Sequence, residues 1–439
     1  MITRRCFRKC SAGNVPIGIH CRYHGQFVGC PRLHRKAQKK LGAPSKTKKN
    51  RVLLKMTIRL GNERLFDEHY ELVSGRRVGL ITNPTGVDSN LNSTADRLHE
   101  TTGIKLVALF GPEHGIRGDV EDGVRVADGT DCRTGVPMIS LYGATNKMRT
   151  DMLDGIDIVL FDIQDVGARF YTYLYTMSAA MAACAERGLP FVVLDRPNPI
   201  GGDILEGNLL DPSFSSFVGR YPLPIRYAMT IGEIAMLFNN IHNIDVELYV
   251  IEMVGWKRSM SWSDTALAWI PPSPNMPTAL TAAVYPGMCF FEGTNISEGR
   301  GTTKPFEQIG APFIDAFALA DKMNNLSIPG FRWQPSFFTP SFGKHSGKRC
   351  GGVQLHAMTT ALHPVTAAFH LLSTLKSMYS DQFEWHVPTK GIHNFDFLAG
   401  DDSVRKALDA GIAISDLLND WAQQRQPFVE VRKTFLLYP

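Results

Sequence analysis

The chain has 439 residues, 44% of them hydrophobic, enough to build two domains with buried cores. Its formal charge of +5 hides a division: residues 1–62 contain no Asp or Glu, and 15 of the 47 basic residues lie between Met1 and Lys55, leaving 32 basic against 42 acidic residues beyond. An acidic body excludes nucleic acid as a partner of the main part of the chain, and no stretch of about 18 consecutive apolar residues offers a membrane-spanning helix.

Residues 1–55 form a basic head without a hydrophobic period, the pattern of a solvated, disordered segment. Cys10, His20, Cys21, His24 and Cys30 suggest a zinc knuckle, but their spacing departs from the usual C-x2-C pairs. The lack of acids suits a targeting arm, whereas the cysteines and scarce serines do not. The abrupt change of composition favours a third reading, a start at Met56. No apolar run of the kind a secretory signal needs follows Met1 or Met56, so a cytoplasmic location is expected. The remaining cysteines, Cys132, Cys184, Cys289 and Cys350, are scattered, which predicts free buried thiols in a reducing compartment.

From residue 56 onward, short apolar runs alternate with helical periods. Strands are predicted at 77–82, 105–110, 137–142, 157–162, 190–194 and 246–251. Helices are predicted at 91–102, at 173–187 with Gly188 closing it, and at 230–242, which opens on the capping box Thr230-x-x-Glu233. Continuous apolar strands separated by helices predict an α/β, Rossmann-like, mainly parallel sheet domain over 56–283. Residues 271–312 are rich in Pro, Gly, Thr and Asn, and a smaller α+β domain is expected over 284–439. Its elements are a strand at 352–357, a helix at 364–378 and a last helical run at 403–424.

In a parallel sheet ligands bind beyond the carboxyl ends of the strands, and the polar residues of this chain collect there. Asn83 follows the first strand. Gly111-Pro112-Glu113-His114-Gly115 follows the second and joins a carboxylate to an imidazole that can tune it. Asp162, Gln164, Asp165, Arg169 and Tyr171 follow the fourth, two acids suited to sharing acid and base roles. Asp195 and Arg196 follow the fifth, where Arg196 is placed to hold an anion by a two-pronged contact. Glu206 stands in a further glycine-containing loop, and the run from Glu292 to Thr303 includes Asn295, Glu298 and Arg300. The competing bland readings are polar turns, an Asp165–Arg169 ion pair, a salt bridge by which Arg196 ties its loop to the sheet, and a solvated interdomain loop. The chain has no G-x-G-x-x-G, Walker A, G-x-S-x-G or H-E-x-x-H motif, so neither a cofactor nor a bound metal is expected.

Several long stretches together resemble the exo-β-N-acetylmuramidase family, long catalogued as a domain of unknown function. They are 79–86, 110–118, 162–173, 195–202, Glu206-Gly207, 271–277, 292–303, 350–356 and Leu436-Leu437-Tyr438. The resemblance covers about residues 60–439 and leaves the basic head outside. It implies a Rossmann-like catalytic domain closed by a smaller α+β domain. It also implies removal of N-acetylmuramic acid from the non-reducing end of peptidoglycan-derived disaccharides and oligosaccharides. No subunit number follows from it.

Such hydrolysis needs a protonated acid at the leaving oxygen and stabilisation of charge at the anomeric carbon. Glu113 is the expected acid, with His114 adjusting it and the second carboxylate coming from Asp162, Asp165, Glu206 or Glu298. The substrate-binding candidates are Asn83, Gln164, Tyr171 and Asn295, with Arg169, Arg196 and Arg300 as candidates for the lactyl carboxylate of muramic acid. Two other classes compete: a metal-dependent hydrolase using His114, Asp162 and Asp165, and a sugar-binding module without catalysis.

Overall fold

Twelve strands lie among the described residues: β1 (Arg77–Thr82), β2 (Lys105–Gly111), β3 (Gly129–Thr130), β4 (Pro137–Ser140), β5 (Ile158–Asp162), β6 (Phe191–Leu194), β7 (Glu206–Leu209), β8 (Pro224–Arg226), β9 (Leu248–Ile251), β10 (Gln308–Ala311), β11 (Phe331–Phe338) and β12 (Cys350–Ala357). They are seen in a computed structural model that describes residues 58–118, 128–142, 148–387 and 391–439. The expectations for residues 1–55, including the zinc-knuckle cysteines and histidines, lie outside the described residues.

Seven strands form one sheet in the order β3-β4-β2-β1-β5-β6-β9. All neighbours run parallel except β3, which pairs antiparallel to β4 at the edge. The central strands are apolar on both faces because both are covered. Val78, Leu80, Ile158, Leu160 and Val192 point into a core with Leu65 and Leu98. Their neighbours Ile81, Val159, Phe161 and Val193 point the other way, into the larger core. The chain runs from β1 to β2 on one side and returns to β5 on the other, so the strand order reverses between β1 and β5, the usual ligand crevice of such sheets.

The second part holds a three-stranded antiparallel sheet, β10-β12-β11, packed with the helices Ala316–Asn325 and Pro364–Met378. One continuous core joins the two parts. Phe290 stands at the junction, with ring centroids 5.6 Å from Phe170, 4.9 Å from Phe369 and 5.6 Å from Phe395.

Predicted and observed elements agree closely where the local chemistry is strong. The helix Tyr173–Arg187 ends at Gly188 with φ 65°, and Thr230 and Glu233 form the reciprocal cap of Ile231–Ile241. The helix predicted at 91–102 starts only at Thr94, because Asp88 accepts from the amides of Asn90 and Asn92 and holds that stretch as a turn. The last helical run is two helices, Ser403–Asp409 and Ile414–Gln424, separated at Gly411 with φ 69°. Of the four body cysteines, Cys184, Cys289 and Cys350 are buried and Cys132 is exposed; all four are unpaired.

Candidate active site

The turn after β2 carries Glu113. Gly115 N donates to Pro112 O at 3.0 Å, and His114 takes φ 73° inside that turn, a conformation costly for a side chain and often retained where function requires it. Glu113 thereby faces the start of the helix Tyr173–Arg187. Thr172, the residue capping that helix, makes no cap bond to its own backbone; its hydroxyl instead donates to Glu113 Oε2 at 3.2 Å. The partial positive charge of the helix start favours an acid there. Tyr142 also hydrogen-bonds Glu113, and its phenol is pushed up to about 12 by burial and then by the Glu113 charge.

Glu113 and His114 line a pocket of about 660 Å³, its open mouth included, within the usual size for small-molecule sites. Its walls are Tyr171 and Tyr173, Ser273 and Asn275, and from the second part Tyr285, Cys289, Glu292, Arg300 and Phe306. Tyr171 packs edge-on against Tyr173 and Tyr285, with centroids 4.9 and 5.7 Å away. Asn83 acts from below: its amide and the Tyr173 hydroxyl both donate to Pro272 O, at 3.3 and 2.5 Å, fixing the loop that presents Ser273 and Asn275.

Arg300 joins the acids. Its Nη2 donates to Glu292 Oε1 at 2.8 Å, its Nε lies 3.6 Å from Glu298 Oε1, and it feels the charge of Glu113. Burial lowers Arg300 to about 10, so it remains a cation at neutral pH. Lys344 holds the other oxygen of Glu298 at 2.9 Å. Among the described residues, the three carboxyls of Glu113, Glu292 and Glu298 thus face two cations, Arg300 and Lys344. Burial pushes Glu292 above the usual carboxylate range, and Glu298 adds to this; Lys344 and a Cys289 hydrogen bond pull back, and Glu113 raises it again. The Arg300 contact at 2.8 Å opposes this rise.

The structure gives the other predicted residues different surroundings. Asp162 is fully buried: Oδ1 pairs with Arg196 Nε at 2.6 Å, and Oδ2 accepts from Thr94 at 2.6 Å and Asn62 at 3.3 Å. Arg196 also donates to Val87 O at 2.9 Å, so this arginine and this acid brace the crevice between β1 and β5 and do not line the pocket. Asp165 accepts from Gly167 N at 2.7 Å and from the Tyr227 hydroxyl. Gln164 donates to Asp165 O at 2.8 Å and Pro197 O at 2.7 Å. The Asp165–Arg169 ion pair of the competing reading does not form. The guanidinium of Arg169 instead donates to Asn208 O, Leu223 O, Leu398 O and Ala399 O at 2.7–3.1 Å, tying the second part to the β7–β8 hairpin. Glu206 lies by Arg226 at 3.8 Å and His363 at 3.6 Å, remote from the pocket lining. Asn295 staples the 382–384 segment, donating to Gln382 O at 2.7 Å and accepting from Glu384 N at 3.1 Å. Glu298 stands behind Arg300.

The geometry therefore gathers Glu113, His114, Tyr171 and Arg300, with Asn83 and Glu298 in support. It adds Glu292, Thr172, Tyr173 and Tyr142, which the sequence reading did not select. Glu292 opens the dense polar run that drew attention, and its place next to an apolar segment was the available signal. Among the described residues no three His, Cys, Asp or Glu side chains gather as a metal site; the set His114, Asp162 and Asp165 is divided between the pocket and the sheet.

Residues 78–280 match the family described as exo-beta-N-acetylmuramidase NamZ, N-terminal, and residues 283–438 match its C-terminal counterpart. The peptidoglycan beta-N-acetylmuramidase NamZ of Bacillus subtilis (strain 168) is 46% identical over 391 residues, which is 89% of this chain and 94% of that protein. Two DUF1343 family crystal structures from Bacteroides fragilis share the fold. One has 37% identity and TM-score 0.81 over 88% of this chain and 100% of its own. The other has 31% identity and TM-score 0.69 over 87% and 99%.

Proposed function

The chain belongs to the exo-beta-N-acetylmuramidase NamZ family, and from that premise we propose how its pocket works. The protein is a glycosidase that releases N-acetylmuramic acid from the non-reducing end of peptidoglycan fragments by cleaving the β-1,4 bond to N-acetylglucosamine. Glu292 is the general acid. Burial and the Glu298 charge favour its protonated form, and it gives that proton to the leaving glycosidic oxygen. This revises the expectation that Glu113 is the acid, because Glu113 is held by Thr172 and Tyr142 beside a helix start and faces the Arg300 charge. Glu113 is the carboxylate that supports the charge growing at the anomeric carbon. Of the three arginines considered for the lactyl carboxylate, Arg300 lines the pocket and takes that role, while Tyr171, Tyr173 and Tyr285 wall the sugar.

One observation carries this reading: Glu113 and Glu292, from different parts of the fold, meet Arg300 at a single pocket. Turnover of a chromogenic N-acetylmuramic acid glycoside tests it. Glu113→Gln and Glu292→Gln each lower kcat by about 10²–10⁴-fold with unchanged thermal unfolding. Wild-type turnover in either variant overturns the corresponding role. Arg300→Met raises KM more for a muramic-acid glycoside than for the N-acetylglucosamine analogue, which lacks the carboxylate; equal effects reject the lactyl contact.

We propose a cytoplasmic location, a reading that the four free body cysteines support. Among the described residues no helix is long and apolar enough to cross a membrane.

A further inference from the structure

Lys344, on the connection between β11 and β12, belongs to none of the motifs read from the sequence. Its ammonium donates to Phe291 O at 2.7 Å, Ile296 O at 3.1 Å and Glu298 Oε2 at 2.9 Å. These acceptors bracket Glu292 along the chain, so one side chain closes the turn on which Glu292 stands. Beyond Glu298 the contacts continue to Arg300 Nε at 3.6 Å and from Arg300 Nη2 to Glu292 at 2.8 Å. Lys344, Glu298, Arg300 and Glu292 form one line of alternating charge.

Building on the assignment of Glu292 as the acid, we propose that Lys344 is a positioning residue that holds Glu298 and so sets how far Arg300 is available to Glu292. Without the ammonium, Glu298 turns to its other neighbour, Arg300, and draws it from Glu292. Without the Glu298 charge, Arg300 is left to Glu292. The direct field acts in the same sense, since removing a nearby cation favours the neutral acid and removing a nearby anion favours its ionised form. The other groups facing Glu292 are Glu113 across the pocket and Cys289 and Tyr285 from the preceding helical segment. His386 lies beside Lys344 and Glu298 and is lowered by burial and by the Lys344 charge, so it stays neutral at neutral pH. Removing the Lys344 charge lifts His386 back toward its ordinary value, removing the Glu298 charge lowers it further, and Glu298 also raises the Cys289 thiol.

The consequence has opposite signs at two adjacent positions. In the pH profile of kcat on a muramic-acid glycoside, the alkaline limb reports loss of the acid proton. Lys344→Met moves that limb up by about 1 unit and Glu298→Gln moves it down by a similar amount. The double variant falls between them, and Lys344→Arg stays close to the wild type. A structural role alone lowers kcat at every pH and leaves the limb in place. Limbs that stay put, or that move the same way in both variants, overturn the proposal. If Lys344→Met does not fold, Glu298→Gln alone decides: a limb that fails to fall rejects it. Glu292→Gln run in parallel separates the two levels of the argument. Full activity there removes the acid itself, whereas strong loss there combined with unmoved limbs removes only the part played by Lys344.

Discussion

Two groups of acids sit within the same fold and have opposite characters. Asp162, Asp165 and Asp195 stand at the ends of β5 and β6, in the place where a parallel sheet usually receives its ligand. Each is buried and held by donors of the protein itself: Asp162 by Arg196, Thr94 and Asn62, Asp165 through one oxygen by Gly167 N and Tyr227, and Asp195 by Thr230, Gly232 N and Tyr438. Glu113, Glu292 and Glu298 lie to one side, where the second part meets the turn after β2, and they share the cations Arg300 and Lys344. The first group fills the crevice and braces it; of the second, Glu113 and Glu292 line an open pocket and Glu298 stands behind it. A carboxylate's neighbours, and the balance of charge among them, separate catalysis from architecture better than its position at a strand end.

The sharpest way to break this contrast is to exchange the expected losses. Asp162→Ala leaves Arg196 Nε without its partner inside the protein, and removal of one member of a buried pair costs about 3–5 kcal/mol. The urea midpoint falls by a corresponding amount, while turnover per folded molecule stays near the wild type. Retained stability with lost turnover would return Asp162 to the catalytic group. A smaller loss is expected at the junction of the two parts. Gly400 has φ 81°, and a Cβ there would lie 2.5 Å from Arg169 Nη2. Gly400→Ala therefore strains the backbone and pushes the guanidinium from its four carbonyls, costing about 2–4 kcal/mol. An unchanged melting temperature in Gly400→Ala would show that Arg169 does not hold the parts together.

The same contrast explains what the sequence revealed. The central strands were legible because burial on both faces demands unbroken apolar runs, and the helices Tyr173–Arg187 and Ile231–Ile241 because their caps are written locally. β11 alternates buried and exposed residues at Phe331, Arg332, Trp333 and Gln334, a period of two that Pro335 interrupts. β7 and β10 span four residues each, too few for any period to emerge. Glu113, His114, Tyr171 and Arg300 were legible as polar residues in glycine-flanked turns. Asp162 and Arg196 have that same local appearance, and only their long-range partners, Asn62 and Thr94 for the one and Val87 for the other, distinguish them. Those partners lie up to 109 positions away, beyond the reach of spacing.

The subtlest expected effect is one of pH, and it divides the two groups by the property that titrates. Burial raises Asp165 to about 6, although Tyr227 and the Gly167 amide pull it back. Burial likewise raises Asp195 to about 7, against the hydrogen bond from Tyr438. In the unfolded chain both titrate near the ordinary value of about 3.9. Between these limits the folded state binds more protons than the unfolded one, so stability falls as pH rises from about 4 through about 6 and 7 and levels off above. Asp165→Asn removes one of these titrations while its side-chain oxygen still accepts from Gly167 N. The variant should gain on the wild type as pH rises, by on the order of 1–2 kcal/mol between pH 4 and 8, read as a flatter dependence of melting temperature on pH. The alkaline limb of kcat, which belongs to Glu292, should not move. A shifted limb in Asp165→Asn would mean that the acids under the sheet communicate with the pocket, and that bracing and catalysis are one electrostatic system.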